Sequence, residues 1–317
     1  MKNFTSVHDI KNIKGILSKA LAIKQDPFSN KSLGQNKTLG LVFLNPSLRT
    51  RLSSQQAGWN LGMHVQVLNA GQDAWTWEFS EGTVMDGSTT EHVKEAARVL
   101  SRYCDVIGIR AFPLLQDREE DYSEPVLSAF LKYATVPVVS LESATRHPLQ
   151  SFADLITIEQ TWKEARPPKV VLTWAPHTKA LPHCVANSFS EWMIKADVDF
   201  SIANPIGYDL SPEFVQDTPV YHDQMEALKD ADYVYVKNWS SFEQYGTMPP
   251  VEKDWMLGED FLLKNPSARI MHCLPVRRNL ELGDALLDSN NQLVYEQAAN
   301  RTLAMQTVLS ELLSPTL

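Results

Sequence analysis

Cysteine is scarce in this chain. The three that occur, Cys104, Cys184 and Cys273, are odd in number and too far apart for a CxxC pair. This usage favours neither a disulfide framework nor a zinc site, and we expect no bound metal. It is typical of a protein in a reducing compartment, so we expect a cytoplasmic location.

Long hydrophobic runs and an excess of positive charge are also missing. No apolar segment approaches the roughly 18 residues that span a bilayer. The first residues, MKNFTSVHDIKNIKGIL, lack the apolar region and cleavage site of a signal peptide. The net charge of −9 argues against nucleic acid as the main partner, although a local cluster of arginines can still bind a small anion. We therefore expect neither a membrane nor a nucleic-acid partner.

Several common catalytic motifs do not occur. There is no G-x-G-x-x-G, no Walker loop, no H-E-x-x-H and no G-x-S-x-G. Dinucleotide-dependent enzymes, NTPases, zinc proteases and α/β-hydrolases therefore lose support.

The chain does contain an alternation of strand-like and helix-like segments over 317 residues. That length favours two domains of about 150 residues each. The alternation predicts an α/β fold with two doubly wound parallel-sheet domains joined by helices. We expect one domain to comprise 1–145 plus 296–317 and the other 146–295. The predicted strands are 37–44, 64–70, 105–110, 137–143, 169–175, 197–203, 232–239 and 268–275.

Helices are predicted between these strands. Ser88-Thr89-Thr90-Glu91 has the capping-box pattern and predicts a helix start at that point. The other predicted helices cover 48–62, the stretch from His147 onward, 182–196, 222–231 and 295–313. Ligands bind at the carboxyl ends of strands in such sheets, so polar residues that directly follow a strand are the site candidates.

The first candidate segment is Ser47-Leu48-Arg49-Thr50-Arg51, which follows a strand and opens a helix. Free backbone N–H groups at a helix start, with hydroxyl and guanidinium groups beside them, form an anion site. A capped helix with solvated arginines is the alternative interpretation.

The second and third segments also follow strands. His147-Pro148-Leu149-Gln150 opens a helix, where a neutral histidine and an amide can donate to a carbonyl oxygen; a packing histidine before Pro148 is the alternative. In His272-Cys273-Leu274-Pro275, carbonyls that leave the sheet can accept from an amine. Cys273 itself is more simply interpreted as a buried structural thiol than as a nucleophile.

Together these segments resemble the aspartate/ornithine transcarbamylase family. Its S-x-R-T-R, H-P-x-Q and H-C-L-P motifs occur here in order, starting at Ser47, His147 and His272. The terminal segment 296–301, EQAANR, matches the E-x-A-x-N-R pattern of the family. The resemblance covers the whole chain.

The resemblance implies an enzyme that moves the carbamoyl group of carbamoyl phosphate onto an amine, with 1–145 plus 296–317 as the carbamoyl-phosphate domain. The implied catalytic residues are Arg49, Thr50, Arg110, His147, Gln150, Cys273 and Leu274. The implied contacts of carbamoyl phosphate are Ser47, Leu48, Arg49, Thr50, Trp75, Arg110, His147, Pro148, Leu149, Gln150, Cys273, Leu274 and Arg301. Without the family, Arg110 and Arg301 are equally well interpreted as surface ion pairs.

The implied chemistry needs no cofactor. Attack by a neutral amine builds negative charge on the carbamoyl oxygen, which His147, Arg110 and the Thr50 hydroxyl would stabilise. Arg49 and the helix start would stabilise the departing phosphate.

The amine acceptor is suggested by a departure from the better-known relatives. Ordinary ornithine enzymes carry a D-x-x-x-S-M-G loop, whereas residues 235–241 here are YVKNWSS. The chain is similar instead to the branch that uses Nα-acylated ornithine. The acceptor contacts that this branch implies are Thr90, Glu142, His177, Lys179, Lys237, Cys273, Leu274 and Arg277. For the charged members of this set, solvated charge is the alternative.

Residue 90 distinguishes the two acyl groups. Acetyl-specific relatives place a glutamate where Thr90 aligns, and that carboxylate would repel succinate. Lys179 could pair with the additional carboxylate, so we expect N-succinylornithine as the acceptor, in arginine biosynthesis. A shift of one residue would put Glu91 at that position, and N-acetylornithine then remains open.

The branch also implies a homotrimer with shared active sites and a trefoil knot in the second domain. Trp75 would enter the neighbouring subunit's site; the alternative is a core aromatic, a position for which Trp77 is the better candidate. In the knot, the chain near 235–255 would pass through the loop near 175–182. A catalytically silent subunit, and an enzyme for a putrescine- or oxamate-like acceptor, are the remaining alternatives.

Overall fold

The computed structural model describes residues 1–251 and 254–314. The chain divides into two compact units. One contains Met1–Leu149 together with the chain from Arg301 onward, and the other contains Gln150–Asn300. Each unit has a parallel sheet flanked by helices, which confirms the α/β fold with parallel sheets.

The first unit has a four-stranded sheet in the order β2 (His64–Asn69), β1 (Thr38–Phe43), β5 (Val106–Arg110) and β6 (Val138–Glu142). Buried and mostly aliphatic residues form β1, β5 and β6, as the short apolar runs predict, whereas the edge strand β2 is only partly buried. Phe43 pairs with Arg110, and Arg110 pairs with Glu142, so polar residues that end two strands lie at the same sheet edge as the end of β1. The strands of this unit are β1 Thr38–Phe43, β2 His64–Asn69, β3 Trp77–Glu78, β4 Glu91–His92, β5 Val106–Arg110 and β6 Val138–Glu142.

Five helices and two 3₁₀ turns accompany these strands. Ser47 caps the helix that follows β1, and Pro125 occupies the first turn of another, as helix-start rules predict. The 3₁₀ turns are Val7–Asp9 and Lys31–Gly34, and the helices are α1 Ile13–Gln25, α2 Leu48–Asn60, α3 Val93–Tyr103, α4 Arg118–Tyr122 and α5 Pro125–Tyr133.

The capping box predicted at 88–91 is wrong. Helix α3 begins at Val93, and His92 is its cap, accepting from the Lys94 amide at 3.1 Å. Glu91 instead belongs to β4, where it pairs with Trp77 of β3. Pairing with a distant strand replaces the local capping that the pattern suggested.

Helix α6, Pro148–Thr161, precedes the second unit's sheet. The strand order in that sheet is β11 (Arg269–Met271), β10 (Tyr233–Lys237), β7 (Lys169–Trp174), β8 (Asp199–Ala203) and β9 (Val220–Tyr221). The predicted strand 268–275 is shorter than expected because pairing ends at Met271 and the chain turns away, with Leu274 at φ 54°. The strands are β7 Lys169–Trp174, β8 Asp199–Ala203, β9 Val220–Tyr221, β10 Tyr233–Lys237 and β11 Arg269–Met271.

The second unit's helices are mostly short. The predicted helix 222–231 is a single turn capped by the Asp223 carboxylate. The helices of the second unit are α7 Cys184–Lys195, α8 Pro212–Val215, α9 Gln224–Ala227, α10 Glu259–Lys264 and α11 Asp284–Leu287. The predicted terminal helix is α12, Val294–Leu313. None of the described helices is long and apolar enough to cross a membrane.

Residues after β10 lie against the loop after β7. The Asn238 side-chain amide donates to the Ala175 carbonyl at 2.6 Å, and the Ser240 amide donates to the Leu181 carbonyl at 3.0 Å. These are the two segments named in the predicted trefoil knot. The knot itself stays a prediction, and part of the segment 235–255 lies outside the described residues.

Candidate active site

The start of α2 is built as the sequence predicts. The Ser47 hydroxyl accepts from the Thr50 amide at 3.3 Å. Thr50 is buried, Arg49 is half-buried and the Leu48 side chain is exposed. Arg51 is directed elsewhere, since it donates to the Asn69 side chain and lies over the Phe43 ring. One guanidinium of the motif, that of Arg49, is therefore the candidate for an anion at this helix start.

Arg110 supports the loop that leads into α2. Its guanidinium is buried and donates at 2.8 Å to the carbonyls of Asn45 and Pro46. It also pairs with the Glu142 carboxylate at 3.0 Å. A charge that lies inside the unit with this many acceptors is not a surface ion pair, so that alternative interpretation is wrong.

Arg301 reaches the same region from α12. Its Nη2 donates to the Thr50 hydroxyl at 2.8 Å, and its Nη1 lies 3.3 Å from Nε2 of His147. Arg301 and His147 are both buried. The surface ion-pair interpretation fails for this arginine too.

His147 is a neutral imidazole among three arginines. Burial, and then the positive charges of Arg301, Arg110 and Arg49, hold its pKa well below 6.5. Its Nε2 also lies 3.4 Å from a Glu142 oxygen. The ring can therefore donate to or accept from a ligand at pH 7 without first losing a proton.

The first unit thus brings together six of the thirteen predicted carbamoyl-phosphate contacts. The cluster of Ser47, Arg49, Thr50, Arg110, His147 and Arg301 combines a helix start with three guanidiniums, a combination suited to a dianion. Glu142, predicted as an acceptor contact, has one carboxylate oxygen next to Arg110 and His147. Its contact with the acceptor stays a prediction.

The segment 75–91 presents its predicted residues to solvent. Trp75 is 63% exposed, whereas Trp77 is buried against Phe130, which confirms Trp77 as the core aromatic. Thr90 is exposed, and its amide donates to the Thr76 carbonyl at 3.0 Å. The Glu91 carboxylate accepts from the Trp77 indole at 3.2 Å, so it is held by this pair.

In the second unit, the HCLP segment forms a sharp turn. The Leu274 amide donates to Nδ1 of His272 at 2.9 Å, and the Leu274–Pro275 peptide is cis. Cys273 is half-buried, so the interpretation as a fully buried thiol is wrong.

Lys237 belongs to a buried charge cluster that includes a residue the sequence reasoning missed. Its Nζ donates to the Asn238 carbonyl at 2.8 Å. Glu281, also buried, lies 3.5 Å from His272 Nε2 and accepts from the Arg277 amide at 2.7 Å. Burial alone would raise the pKa of Glu281, but His272, Lys237 and the Arg277 amide lower it, so the carboxylate is ionised at pH 7.

A second missed carboxylate is Asp154 on α6. It is fully buried and accepts at 2.8 Å from Gln150 and from Gln297. The predicted site residue Gln150 is thereby held by a partner one helical turn away. The i, i+4 spacing in QSFAD could have indicated this pair.

His177 and Arg277 form a predicted acceptor pair. Arg277 Nε donates to His177 Nε2 at 3.2 Å, and His177 Nδ1 lies 3.0 Å from the Lys179 carbonyl and accepts from the Lys179 amide at 3.2 Å. Lys179 and Arg277 are exposed, which leaves both cations accessible to an anionic group.

Pro148 and Leu149 have a structural role in the HPLQ motif. Both are buried, and Pro148 begins α6 as helix-start rules predict. The predicted site residues that the structure brings together form two sets, one in each unit. The first set is the cluster of Ser47, Arg49, Thr50, Arg110, His147 and Arg301. The second set is Gln150, His177, Lys179, Lys237, Cys273, Leu274 and Arg277.

Fold and comparisons define a transferase of the carbamoyltransferase class. The model of the aspartate/ornithine carbamoyltransferase carbamoyl-P binding domain matches residues 2–160, and the model of the Asp/Orn binding domain matches residues 183–312. The chain belongs to the aspartate/ornithine carbamoyltransferase family. The resemblance drawn from the three motifs is thereby confirmed.

Two curated relatives match almost the whole chain. The N-succinylornithine carbamoyltransferase of Bacteroides thetaiotaomicron is 48% identical over 315 residues, which is 99% of each chain. The N-acetylornithine carbamoyltransferase of Xanthomonas axonopodis pv. citri is 34% identical and covers 99% of this chain and 97% of its own. Both names belong to the Nα-acylornithine branch.

Solved structures of the acetylornithine enzyme are similar throughout. An acetylornithine transcarbamylase complexed with acetylcitrulline has a TM-score of 0.93 at 34% identity, covering 99% of this chain and 100% of that one. A mutant of N-acetyl-L-ornithine transcarbamylase complexed with carbamyl phosphate and N-succinyl-L-norvaline has a TM-score of 0.91, with 98% and 100% covered at the same identity.

Proposed function

We propose that this chain transfers the carbamoyl group of carbamoyl phosphate to the side-chain amine of N-succinyl-L-ornithine, giving N-succinyl-L-citrulline and phosphate in arginine biosynthesis. The cluster of three arginines around a neutral His147 carries the proposal on the structural side. The match to a relative of that name over 99% of the chain agrees with it.

The donor binds to the first set of residues. The Ser47–Thr50 helix start and Arg49 hold the phosphate, and Arg110 and Arg301 add positive charge. Neutral His147 and the Thr50 hydroxyl stabilise the carbamoyl oxygen as negative charge develops there. The amine nitrogen forms a bond to the carbamoyl carbon, the bond from that carbon to the phosphate oxygen breaks, and the leaving phosphate takes the amine proton.

The acceptor binds to the second set. Lys237 pairs with the α-carboxylate and Arg277 lies beside it, with His177 as a neighbour of Arg277. The carbonyls of Cys273 and Leu274 orient the amine. Binding both substrates in the reacting geometry supplies much of the rate acceleration, since it removes the entropy cost of bringing two molecules together.

Succinate rather than acetate as the acyl group is supported at residue 90. Thr90 carries no charge, and Glu91 is held by the Trp77 indole, which disfavours the one-residue shift that would bring a carboxylate to this position. Variants of the N-acetyl-L-ornithine enzyme in which one glutamate is replaced were solved with N-succinyl-L-norvaline bound. Lys179 is exposed and suited to pair with the succinyl carboxylate.

The assembly and location are part of the same proposal. The enzyme is a cytoplasmic homotrimer with shared sites, and the exposed Trp75 contacts the substrate of a neighbouring subunit. Residues 1–145 with 296–317 form the carbamoyl-phosphate domain, whose site His147 completes, and the remainder of 146–295 binds the acylornithine. No cofactor or metal takes part.

N-acetylornithine is the second candidate acceptor, because relatives with that specificity are 34% identical over nearly the whole chain. The deciding experiment compares kcat/KM for N-succinyl-L-ornithine, N-acetyl-L-ornithine and L-ornithine at saturating carbamoyl phosphate. We expect the succinyl compound to be preferred and free ornithine to be inactive. Faster carbamoylation of the acetyl compound contradicts the proposed acceptor, and no citrulline-type product from any of the three would indicate a silent subunit.

A further inference from the structure

Asp154 connects helices α6 and α12 within the second unit, although the two helices are far apart in the sequence. Its Oδ1 accepts from the Gln150 side chain, one turn earlier on α6, and from the Gln297 side chain of α12, each at 2.8 Å. All three side chains are buried. A buried amide that loses its acceptor costs about 1–3 kcal/mol, so these bonds constrain both glutamines.

Gln297 carries the connection to the HCLP turn. Its Oε1 accepts from the His272 amide at 2.9 Å. His272 in turn accepts at Nδ1 from the Leu274 amide, at the residue with φ 54°. The peptide that bears the Cys273 carbonyl is therefore tied to Asp154 through one glutamine and one histidine, and the Leu274 carbonyl follows it in the same turn.

A carboxylate is suited to this place because both its oxygens only accept hydrogen bonds. It therefore fixes the amide nitrogens of Gln150 and Gln297 towards itself and turns Oε1 of Gln297 to the His272 amide. With that orientation reversed, an NH₂ group would face the His272 N–H. Asp154 thus sets the direction of two amides at once.

Tyr235 of β10 closes the network from the sheet side. It is fully buried, and burial, followed by Asp154 and Cys273, raises the pKa of its hydroxyl well above 10. The neutral hydroxyl adjoins both Asp154 and the Cys273 side chain. Helix α6, strand β10 and the HCLP turn therefore come together around this buried hydroxyl.

We propose that Asp154 is a positioning residue for carbamoyl transfer, holding the Gln150 amide and, through Gln297, the carbonyls of Cys273 and Leu274 in their reacting positions. The inference rests on the proposed function, since it uses the role assigned there to the Cys273 and Leu274 carbonyls, together with the catalytic role that the family resemblance implies for Gln150. A displacement of about 1 Å in such groups can cost about 100-fold in rate.

The test compares Asp154→Ala with Asp154→Asn. The alanine variant removes the acceptor, so we expect kcat to fall about 100-fold. The asparagine variant keeps an oxygen that can accept from both glutamines, so we expect its kcat to stay within about tenfold of the wild type. The dissociation constant of carbamoyl phosphate, measured by calorimetry, should change less than about threefold in both.

Thr157→Ala is the matched control. Thr157 is equally buried on α6, and its hydroxyl accepts from Asn300 of α12 at 2.9 Å, so its loss removes another link between the same two helices. We expect a lower melting temperature in this variant with unchanged kcat. A role for Asp154 that is only structural would instead make both alanine variants alike.

The outcomes separate the inference from the function on which it rests. A wild-type enzyme that carbamoylates neither acylornithine contradicts the proposed function. In an active enzyme, Asp154→Ala with kcat within about twofold of the wild type overturns the inference. If that variant does not fold, Gln297→Met decides. A fall in kcat of about tenfold or more with unchanged carbamoyl-phosphate binding supports the inference, and an unchanged kcat overturns it.

Discussion

The buried polar side chains of the first unit's candidate site depend on one another. Arg110, Glu142, His147 and Arg301 are all nearly inaccessible, where an isolated charge would be strongly unfavourable. The Glu142 carboxylate neutralises the Arg110 guanidinium, which also donates to backbone carbonyls. The His147 imidazole stays neutral. The arginines exceed this compensation, and the excess positive charge is what a phosphorylated ligand would neutralise.

The phosphate role of Arg49 predicts a large effect for Arg49→Ala. Loss of its guanidinium should reduce transition-state stabilisation by on the order of 2–4 kcal/mol, or about 30- to 900-fold in kcat/KM for carbamoyl phosphate. Arg51→Ala is the control, since Arg51 is bound to Asn69. We expect that variant to stay near wild type in steady-state kinetics. Full activity of Arg49→Ala would refute the phosphate assignment.

The acyl preference predicts an effect for Thr90→Glu. A carboxylate at this position would repel the succinyl carboxylate, so the ratio of kcat/KM for the succinyl and acetyl substrates should shift by about tenfold or more towards acetyl. Ser88→Glu adds the same charge two residues away on the same exposed loop and should leave the ratio nearly unchanged. Equal ratios in Thr90→Glu and the wild type would mean that residue 90 does not face the acyl group.

Among individual residues, the sequence could identify those that directly follow a strand within a short motif. Arg49 and His147 are of this kind, and the structure brings both to one cluster. Glu281 escaped because its partners His272 and Lys237 are joined to it by folding rather than by spacing. Asp154 was missed for another reason: its i, i+4 spacing from Gln150 indicates a pair, but an acidic residue on a helix is usually solvated, so the spacing does not reveal that the pair is buried.

Among the elements, local signals were reliable where no distant strand competed. Ser47 caps α2 as its position predicts. The pattern at 88–91 failed because β3 supplies pairing partners for β4, and tertiary pairing overrides a local cap. The pairing of β3 with β4 cannot be derived from the spacing of Ser88 and Glu91.

The contact between the loop after β7 and the segment after β10 predicts a pH effect on stability. His183 is buried, with Nε2 2.8 Å from the Ser240 carbonyl, and burial lowers its pKa to about 4. The unfolded chain has the ordinary value of 6.5 and binds a proton first as pH falls. Stability from the neutral ring is therefore present above pH 6.5 and is lost between 6.5 and 4, amounting to about 2 kcal/mol at pH 5.

Urea unfolding at pH 8 and pH 5 measures this loss. In His183→Gln the amide can still donate to the Ser240 carbonyl but does not titrate. We expect the difference in unfolding free energy between the two pH values to be smaller in the variant by about 2 kcal/mol. An identical pH dependence in both proteins would show that His183 is not the titrating group.

For the whole molecule, the shared-site prediction can be tested by mixing inactive subunits. Arg49→Ala and Trp75→Ala each remove one contribution to every site. If Trp75 serves a neighbouring subunit, hybrids formed by dissociating and reassociating a 1:1 mixture contain some sites with both residues intact. We expect recovery of roughly a quarter of wild-type activity, and a trimer mass by light scattering. Hybrids without any recovered activity would contradict shared sites.

The α/β class was predictable for the whole chain because strand and helix patterns alternate from Lys37 onward, and both sheets are parallel as that order requires. The order of the strands within each sheet was not predictable, since periodicity carries no information on which strands become neighbours. The knot and the trimer are implied by the family resemblance alone, and both stay predictions.

The most direct measurement is a crystal structure of the protein with carbamoyl phosphate and N-succinyl-L-norvaline. We expect the phosphate on the amides of Ser47–Thr50 and on Arg49, with the carbamoyl oxygen beside His147. The α-carboxylate of the norvaline should contact Lys237. A phosphate bound away from Arg49, or a norvaline remote from Lys237, would contradict the account.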